Sequence, residues 1–361
     1  MKHLVCLSDT PWSSVPARTQ QLMTRLKDVH ILYFEPPARR KGCPWKKPAR
    51  RVRPGLLVYS LPPVLDGEGE HPLLFRLGQR KLARYVEKAM LRHRVQDPVL
   101  WCAIPTAVHL LDGLPRQGLV YDCGRDWSSL PDQWESELAL AADVVFAASP
   151  ELCDHIGPCN DNVALLPNGA NYTMFAREDL ETPPALRDIS GPVLGYEGTI
   201  WRDLDLEPLL RAAREHPAAT FVLVGRVERN PHLRALERLP NVRFLGRKPL
   251  VELPEYLNRF DVCLNLLRTG SMDGDILPPR IFEYFATGKP VVSMLQPGQV
   301  EQFPDVIYGA HTSAEFSQLC TSALAERGSW ARDRRRSYGQ IGSWSNRARE
   351  VERILESIGL F

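Results

Sequence analysis

Asp275-Ile-Leu-Pro-Pro-Arg-Ile-Phe-Glu283-Tyr-Phe-Ala-Thr-Gly288-Lys-Pro-Val-Val292 reads as a loop, a short helix, a tight turn and a buried strand. Pro279 suits the first helical position, so Glu283 falls near the start of a helix while Asp275 stays in the loop before it. Gly-Lys-Pro then ends the helix and opens an apolar run. That helix-to-strand step belongs to an open α/β sheet, in which ligands gather at the carboxyl ends of the strands. Two carboxylates there suit a polyhydroxylated ligand, because an ionised acid accepts two charge-assisted hydrogen bonds in fixed geometry. The positive end of the helix suits phosphate. A surface aspartate plus an ordinary helix acid is the plainer alternative.

The same rhythm extends along the whole chain. Short apolar runs near 2–7, 29–34, 56–60, 98–103, 118–122, 143–147 and 162–166 alternate with helical patterns near 16–27, 71–94, 131–141 and 149–156. The rhythm restarts with strands near 192–196, 219–224, 241–245, 260–266 and 290–294 and helices near 204–215, 230–238, 250–259 and 279–287. Two doubly wound, Rossmann-like parallel-sheet domains facing across a cleft are therefore expected: 1–172, a linker at 173–190, and 191–342. Residues 343–361 form a last helix with Ala348, Val351, Ile354 and Leu355 on one stripe, able to pack back on the N-terminal half.

The 361 residues suit two domains of ordinary size, and a net charge of +2 gives no global field for nucleic acid. Eight cysteines without a paired C-x-x-C spacing suggest neither a zinc site nor a disulfide framework. The apolar run at the N-terminus is too short for a signal peptide or a spanning helix, so a cytoplasmic protein is expected. No G-x-G-x-x-G follows the first strand of either half, and a nicotinamide or flavin fingerprint is missing.

Candidate ligand-binding groups of the second half cluster at strand ends. Arg280 can place a fork of donors on a pyrophosphate. Arg202 follows Gly195-Tyr-Glu-Gly198-Thr-Ile-Trp, Arg226 follows Phe221-Val-Leu-Val-Gly225, and Arg247 with Lys248 follows Gly246. On the other half, Asp126 and Arg125 follow the strand ending Tyr121-Asp122-Cys123. Asp126 is the candidate base or acceptor-orienting carboxylate, and Asp122 reads as a structural hydrogen-bonder. Asp9, Trp12 and Arg18 in the first loop are candidate sugar contacts. Arg39 to Arg53 holds eight Lys or Arg and no acid. The helix after it adds Arg76, Arg80, Lys81, Arg84, Lys88, Arg92 and Arg94 beside Leu73, Leu74 and Leu77. Such a patch in a near-neutral protein suggests an anionic membrane surface.

The segment 275–292 resembles the acid-x7-acid element of GT-B retaining glycosyltransferases, especially the large family 4 group. Val120-Tyr-Asp-Cys, Ala142-Asp-Val-Val-Phe-Ala-Ala-Ser149, Leu166-Pro-Asn-Gly169, Asn241-Val-Arg-Phe-Leu-Gly-Arg and Ser343-Trp-Ser-Asn-Arg resemble bacterial polysaccharide and teichuronic-acid-type members. The resemblance implies a UDP- or GDP-sugar donor in the C-terminal half, with Glu283 on the ribose and Asp275 toward the sugar and phosphates. Arg280, Arg226, Arg247, Gly198, Ile276 and Leu277 would complete the donor site, and Asp126, Asp275 and Arg202 would be the catalytic set. It further implies metal-independent transfer to a glycan or lipid-linked acceptor in surface polysaccharide or glycolipid synthesis, at or near the inner face of the membrane. The first acid here is Asp rather than Glu, and Arg280 stands where the family has Lys. A nucleotide-sugar epimerase of the same architecture and a noncatalytic sugar-nucleotide-binding partner remain alternatives.

Overall fold

The computed structural model describes residues 2–13, 15–36, 49–64, 72–267, 276–294, 303 and 305–361. Asp275 lies outside them, as does most of the basic run 39–53. Two compact units emerge: Met1–Pro167 with Arg347–Phe361, and Asn168–Asn346.

The first unit is built on an eight-stranded sheet, order β3-β4-β2-β1-β5-β6-β7-β8. Its strands are β1 (Lys2–Leu7), β2 (Val29–Glu35), β3 (Arg50–Arg53), β4 (Leu56–Ser60), β5 (Val99–Cys102), β6 (Gly118–Cys123), β7 (Val144–Ala147) and β8 (Val163–Leu165). All neighbours are parallel except β3 with β4. Every residue of β5, β6 and β7 is buried, as expected for strands covered by helices on both faces. The chain runs from β1 outward through β2 to β4, then returns to β5 on the other side of β1. The strand order therefore reverses between β1 and β5, and the loops after β1, β5 and β6 converge there.

The second unit repeats the plan with six strands, order β11-β10-β9-β12-β13-β14. These are β9 (Val193–Glu197), β10 (Thr220–Val224), β11 (Val242–Gly246), β12 (Val262–Asn265), β13 (Val291–Met294) and β14 (Ile307–Ala310). All pairings are parallel. Here the order reverses between β9 and β12, which brings the ends Glu197 and Asn265 to one crevice.

Several sequence expectations need correcting. Residues 173–190 are no free linker: Phe175, Leu186 and Ile189 are buried in the core of the second unit beside Val193 and Phe260. The first helix is shorter than expected, Arg18–Met23. Strand β3, strand β14 and the helices Ser313–Ala325 and Trp330–Ile341 were not expected; the last carries so many arginines that no apolar stripe shows. The final helix, Trp344–Ser357, starts in the second unit and ends in the first, where Ala348, Val351 and Leu355 are buried.

Among the described cysteines all are free, and Cys6, Cys102, Cys123, Cys263 and Cys320 are buried. They act as small core residues. Burial and Glu135 push the Cys123 thiol well up, which disfavours its thiolate.

Candidate active site

In the second unit the helix Pro279–Thr287 places the site. Pro279 opens it, and Gly288, at φ 77°, closes it in the left-handed conformation that spares a glycine any Cβ penalty. Ile281, Phe282, Phe285 and Ala286 are buried in the core. That packing fixes the rotation of the helix and leaves Arg280 and Glu283 half-buried on its other side.

Arg280 sits where the strand order reverses. Its Nη1 donates to Tyr196 Oη at 3.0 Å and to Asn265 Oδ1 at 3.4 Å, groups at the ends of β9 and β12. Its guanidinium lies 4.9 Å from the centre of the Tyr196 ring. Asn265 is held in turn by Ser293, its Nδ2 donating to Oγ at 2.8 Å. Tyr284 locks the helix to the same strands: its hydroxyl accepts from the Glu197 amide at 2.8 Å and donates to the Leu264 carbonyl at 3.2 Å. A cation at a sheet switch point, oriented by buried neutral partners, is placed to meet a ligand's anionic group.

Glycine backbone forms the adjoining wall. Gly198, Gly225 and Gly246 follow or end β9, β10 and β11, all with positive φ. A Cβ on Gly198 would stand 2.9 Å from Arg280 Nη2, and one on Gly225 would stand 1.9 Å from the Gly198 carbonyl oxygen. The two glycines let adjacent strand ends touch and let Arg280 lie against the backbone.

Two carboxyls share this crevice. Burial pushes the Glu283 carboxyl well up; Glu197 adds to the rise and Arg280 opposes it. Burial also raises Glu197, again opposed by Arg280. One guanidinium between two acids leaves an excess of negative charge in a poorly solvated place, so the pair resists full ionisation. Neither side chain makes a hydrogen bond within the described residues, and both remain available.

The other expected donor groups are more dispersed. Arg226 is exposed and paired with Glu228 at 2.5 Å, its guanidinium 5.6 Å from the Trp201 ring centre. Arg202 and Arg247 are exposed loop cations. Ile276 is half-buried, and Leu277 is buried with its carbonyl accepting from Asn168 Nδ2 at 3.1 Å.

In the first unit, Asp9, Arg18 and Arg125 come together at the switch point between β1 and β5. They border one cavity of about 60 Å³ with Asp122 and Trp127. Arg18 Nε donates to Asp122 Oδ1 at 2.8 Å, and Arg125 reaches within 3.7 Å of Asp9. Burial raises the Asp9 carboxyl, with Arg125 opposing. Trp12 is elsewhere, its ring edge-on to Tyr33 at 4.9 Å and its amide donating to Glu35. Asp126 accepts from the Ser128 amide and hydroxyl, both at 2.8 Å, in an Asx turn.

Residues 202–353 match a family model described as glycosyl transferase-like. The chain has the GT-B fold, and most of its second unit is similar to glycosyl transferases. TuaH of Bacillus subtilis (strain 168), named for teichuronic acid biosynthesis, is 25% identical over 279 residues, 70% of each chain. Solved structures of the same fold include sucrose-phosphate synthase of Thermosynechococcus elongatus (TM-score 0.72, 17% identity, 99% of each chain). A UDP-forming α,α-trehalose-phosphate synthase of Burkholderia vietnamiensis matches at TM-score 0.75 and 14% identity, over 100% of this chain and 98% of that one. HepE of Anabaena, in complex with UDP, matches at 0.69 and 16%, over 99% and 100%.

Sequence reasoning missed Glu197, Tyr196 and Asn265 around Arg280 and undervalued Asp122 and Trp127 in the first unit. Glu197 stood in plain view between Tyr196 and Gly198. Nothing local distinguishes it from any strand-end acid until β12 and the helix at Pro279 are known to lie beside it.

Proposed function

We propose that this protein is a glycosyltransferase that moves a sugar from a nucleotide-sugar donor to a hydroxyl of a glycan or lipid-linked acceptor, with the donor bound in the second unit. The observation that carries the proposal is Arg280, held on Tyr196 and Asn265 at the sheet switch point with Glu283 one turn further on. In this reading Arg280 meets the diphosphate, Glu283 accepts the ribose hydroxyls, and the Gly198–Gly225 wall admits the phosphates. UDP is favoured over GDP because a structural neighbour was solved with UDP. Asp275 would act toward the sugar and phosphates, and Arg202, Arg226 and Arg247 would contribute field from the adjoining loops. Chemistry at such a site rests on stabilising the departing diphosphate while an acceptor hydroxyl is held close.

The likeness to TuaH supports a polymeric or lipid-linked acceptor in bacterial surface polysaccharide synthesis. Exposed Leu73 (76%) and Leu77 (59%) stand on the helix Pro72–Arg92 with Arg76, Arg80, Arg84 and Lys88, an arrangement that supports a peripheral place on an anionic membrane surface. Among the described residues no helix is long and apolar enough to cross a membrane. Thermal denaturation with UDP, GDP and ADP tests the donor assignment: UDP should raise the midpoint, and equal indifference to all three would overturn it.

A further inference from the structure

The cavity in the first unit holds an unfinished set of hydrogen bonds. Arg18 Nη2, Asp122 Oδ2 and Trp127 Nε1 are all buried without a partner, and all three residues line the same space. The rest of each group is fixed. Arg18 Nη1 donates to the Leu166 carbonyl at 2.7 Å, and its Nε meets the other oxygen of Asp122. Side-chain exposure is 10% for Arg18 and 1% for Asp122, so bulk solvent does not reach them and whatever completes their bonds must sit in the cavity. Trp127 is covered by the Arg125 guanidinium, 4.0 Å from its ring centre. The Arg18–Asp122 pair is thus joined by one arm only, leaving a second donor and a second acceptor unpartnered on two residues that line one cavity.

Their chemistry selects the occupant. An ammonium would suit Asp122 but face Arg18. A phosphate or carboxylate would suit Arg18 and the indole but face Asp122. A hydroxyl accepts from Nη2 and donates to Oδ2 at once, and a neighbouring hydroxyl can accept from Trp127. The volume, about 60 Å³, has room for a few groups of that size. We propose that this cavity is a subsite for hydroxyl groups of a neutral sugar, held by Asp122, Arg18 and Trp127, and that Asp122 rather than Asp126 is the carboxylate that touches them. Asp126 already spends its oxygens on Ser128. The inference rests on the sugar-transfer reading and assigns the polar contacts of its acceptor side.

The test uses the full chain with 5-fluorotryptophan at its eight tryptophans, the Trp127 resonance being assigned with Trp127→Phe. Methyl α- and β-glycosides of glucose, galactose, mannose and N-acetylglucosamine are titrated while fluorine NMR follows that signal. At least one glycoside should shift it saturably, and Asp122→Asn should weaken that binding at least tenfold without altering stabilisation by UDP. Because Asp122→Asn removes part of an ion pair, Ala103→Val, which fills the same cavity, should give the same loss. A saturable shift unaffected by either substitution overturns the proposal. So does no shift with any glycoside, or a high-resolution structure in which Arg18 and Asp122 close into a two-armed pair beside water alone. If UDP fails to stabilise the unaltered chain, the donor reading fails instead.

Discussion

Replacing Glu283 by Gln should make the protein bind UDP more weakly and fold more stably. The carboxyl is half-buried, has no hydrogen-bond partner among the described residues, and is pushed well up by burial and by Glu197. Glutamine removes the charge while keeping the shape, so the repulsion and desolvation disappear. On the ligand side, a ribose diol donating to a carboxylate loses its charge assistance and meets one amide donor. Hydrogen bonds to charged groups are worth about 1.5–3 kcal/mol each, so losing one lowers affinity about 10- to 150-fold. The pH dependence has a definite sign. A carboxyl whose pKa is higher in the folded state contributes stability that is present below its unfolded pKa and lost as pH rises through the folded one. The stability advantage of Glu283→Gln should therefore be absent in acid and grow toward neutral pH. Calorimetric titration with UDP, paired with thermal denaturation across that range, reads both effects. Unchanged UDP affinity would refute the ribose assignment, and a variant destabilised at neutral pH would show that the carboxylate is structural.

Gly225→Ala forces a Cβ to within 1.9 Å of the Gly198 carbonyl at φ 155°; a loss of at least about 2 kcal/mol in denaturant melts is expected, with UDP binding impaired because Arg280 rests on Gly198. Arg335 is buried and bonded to the carbonyls of Val306 and Gly288 and to both oxygens of Glu326, so Arg335→Met, which strands that acid, should cost about 3–5 kcal/mol by the same melts. Arg76→Glu with Arg80→Glu should abolish sedimentation with vesicles of 30% phosphatidylserine while leaving UDP binding intact. Binding by the unaltered chain should itself fade as salt rises to about 1 M, where charges are screened within a few ångströms.

The parallel sheets were legible because strands buried on both faces are written as unbroken apolar runs, as in Val99–Cys102 and Val144–Ala147. The helix that carries Arg280 and Glu283 was legible because proline and Gly-Lys-Pro bracket it. What escaped depends on strand order. Glu197, Tyr196 and Asn265 meet Arg280 only because β9 lies beside β12, and an individual sequence carries no local mark of that neighbourhood. Asp122 was read as a structural hydrogen-bonder because it ends an apolar strand; one of its oxygens does serve that role, and the other is open. Asp126 looked chemically freer, yet a turn residue two positions before a serine readily folds back on it. The three strand-end arginines at 202, 226 and 247 suggested one cationic wall, whereas Arg226 answers first to Glu228.

A crystal structure of the UDP complex tests the account most directly. The diphosphate should lie against Arg280 and the Gly198–Gly225 backbone, with the ribose hydroxyls on Glu283. UDP bound away from that crevice, or bound there with its ribose turned from Glu283, would contradict it.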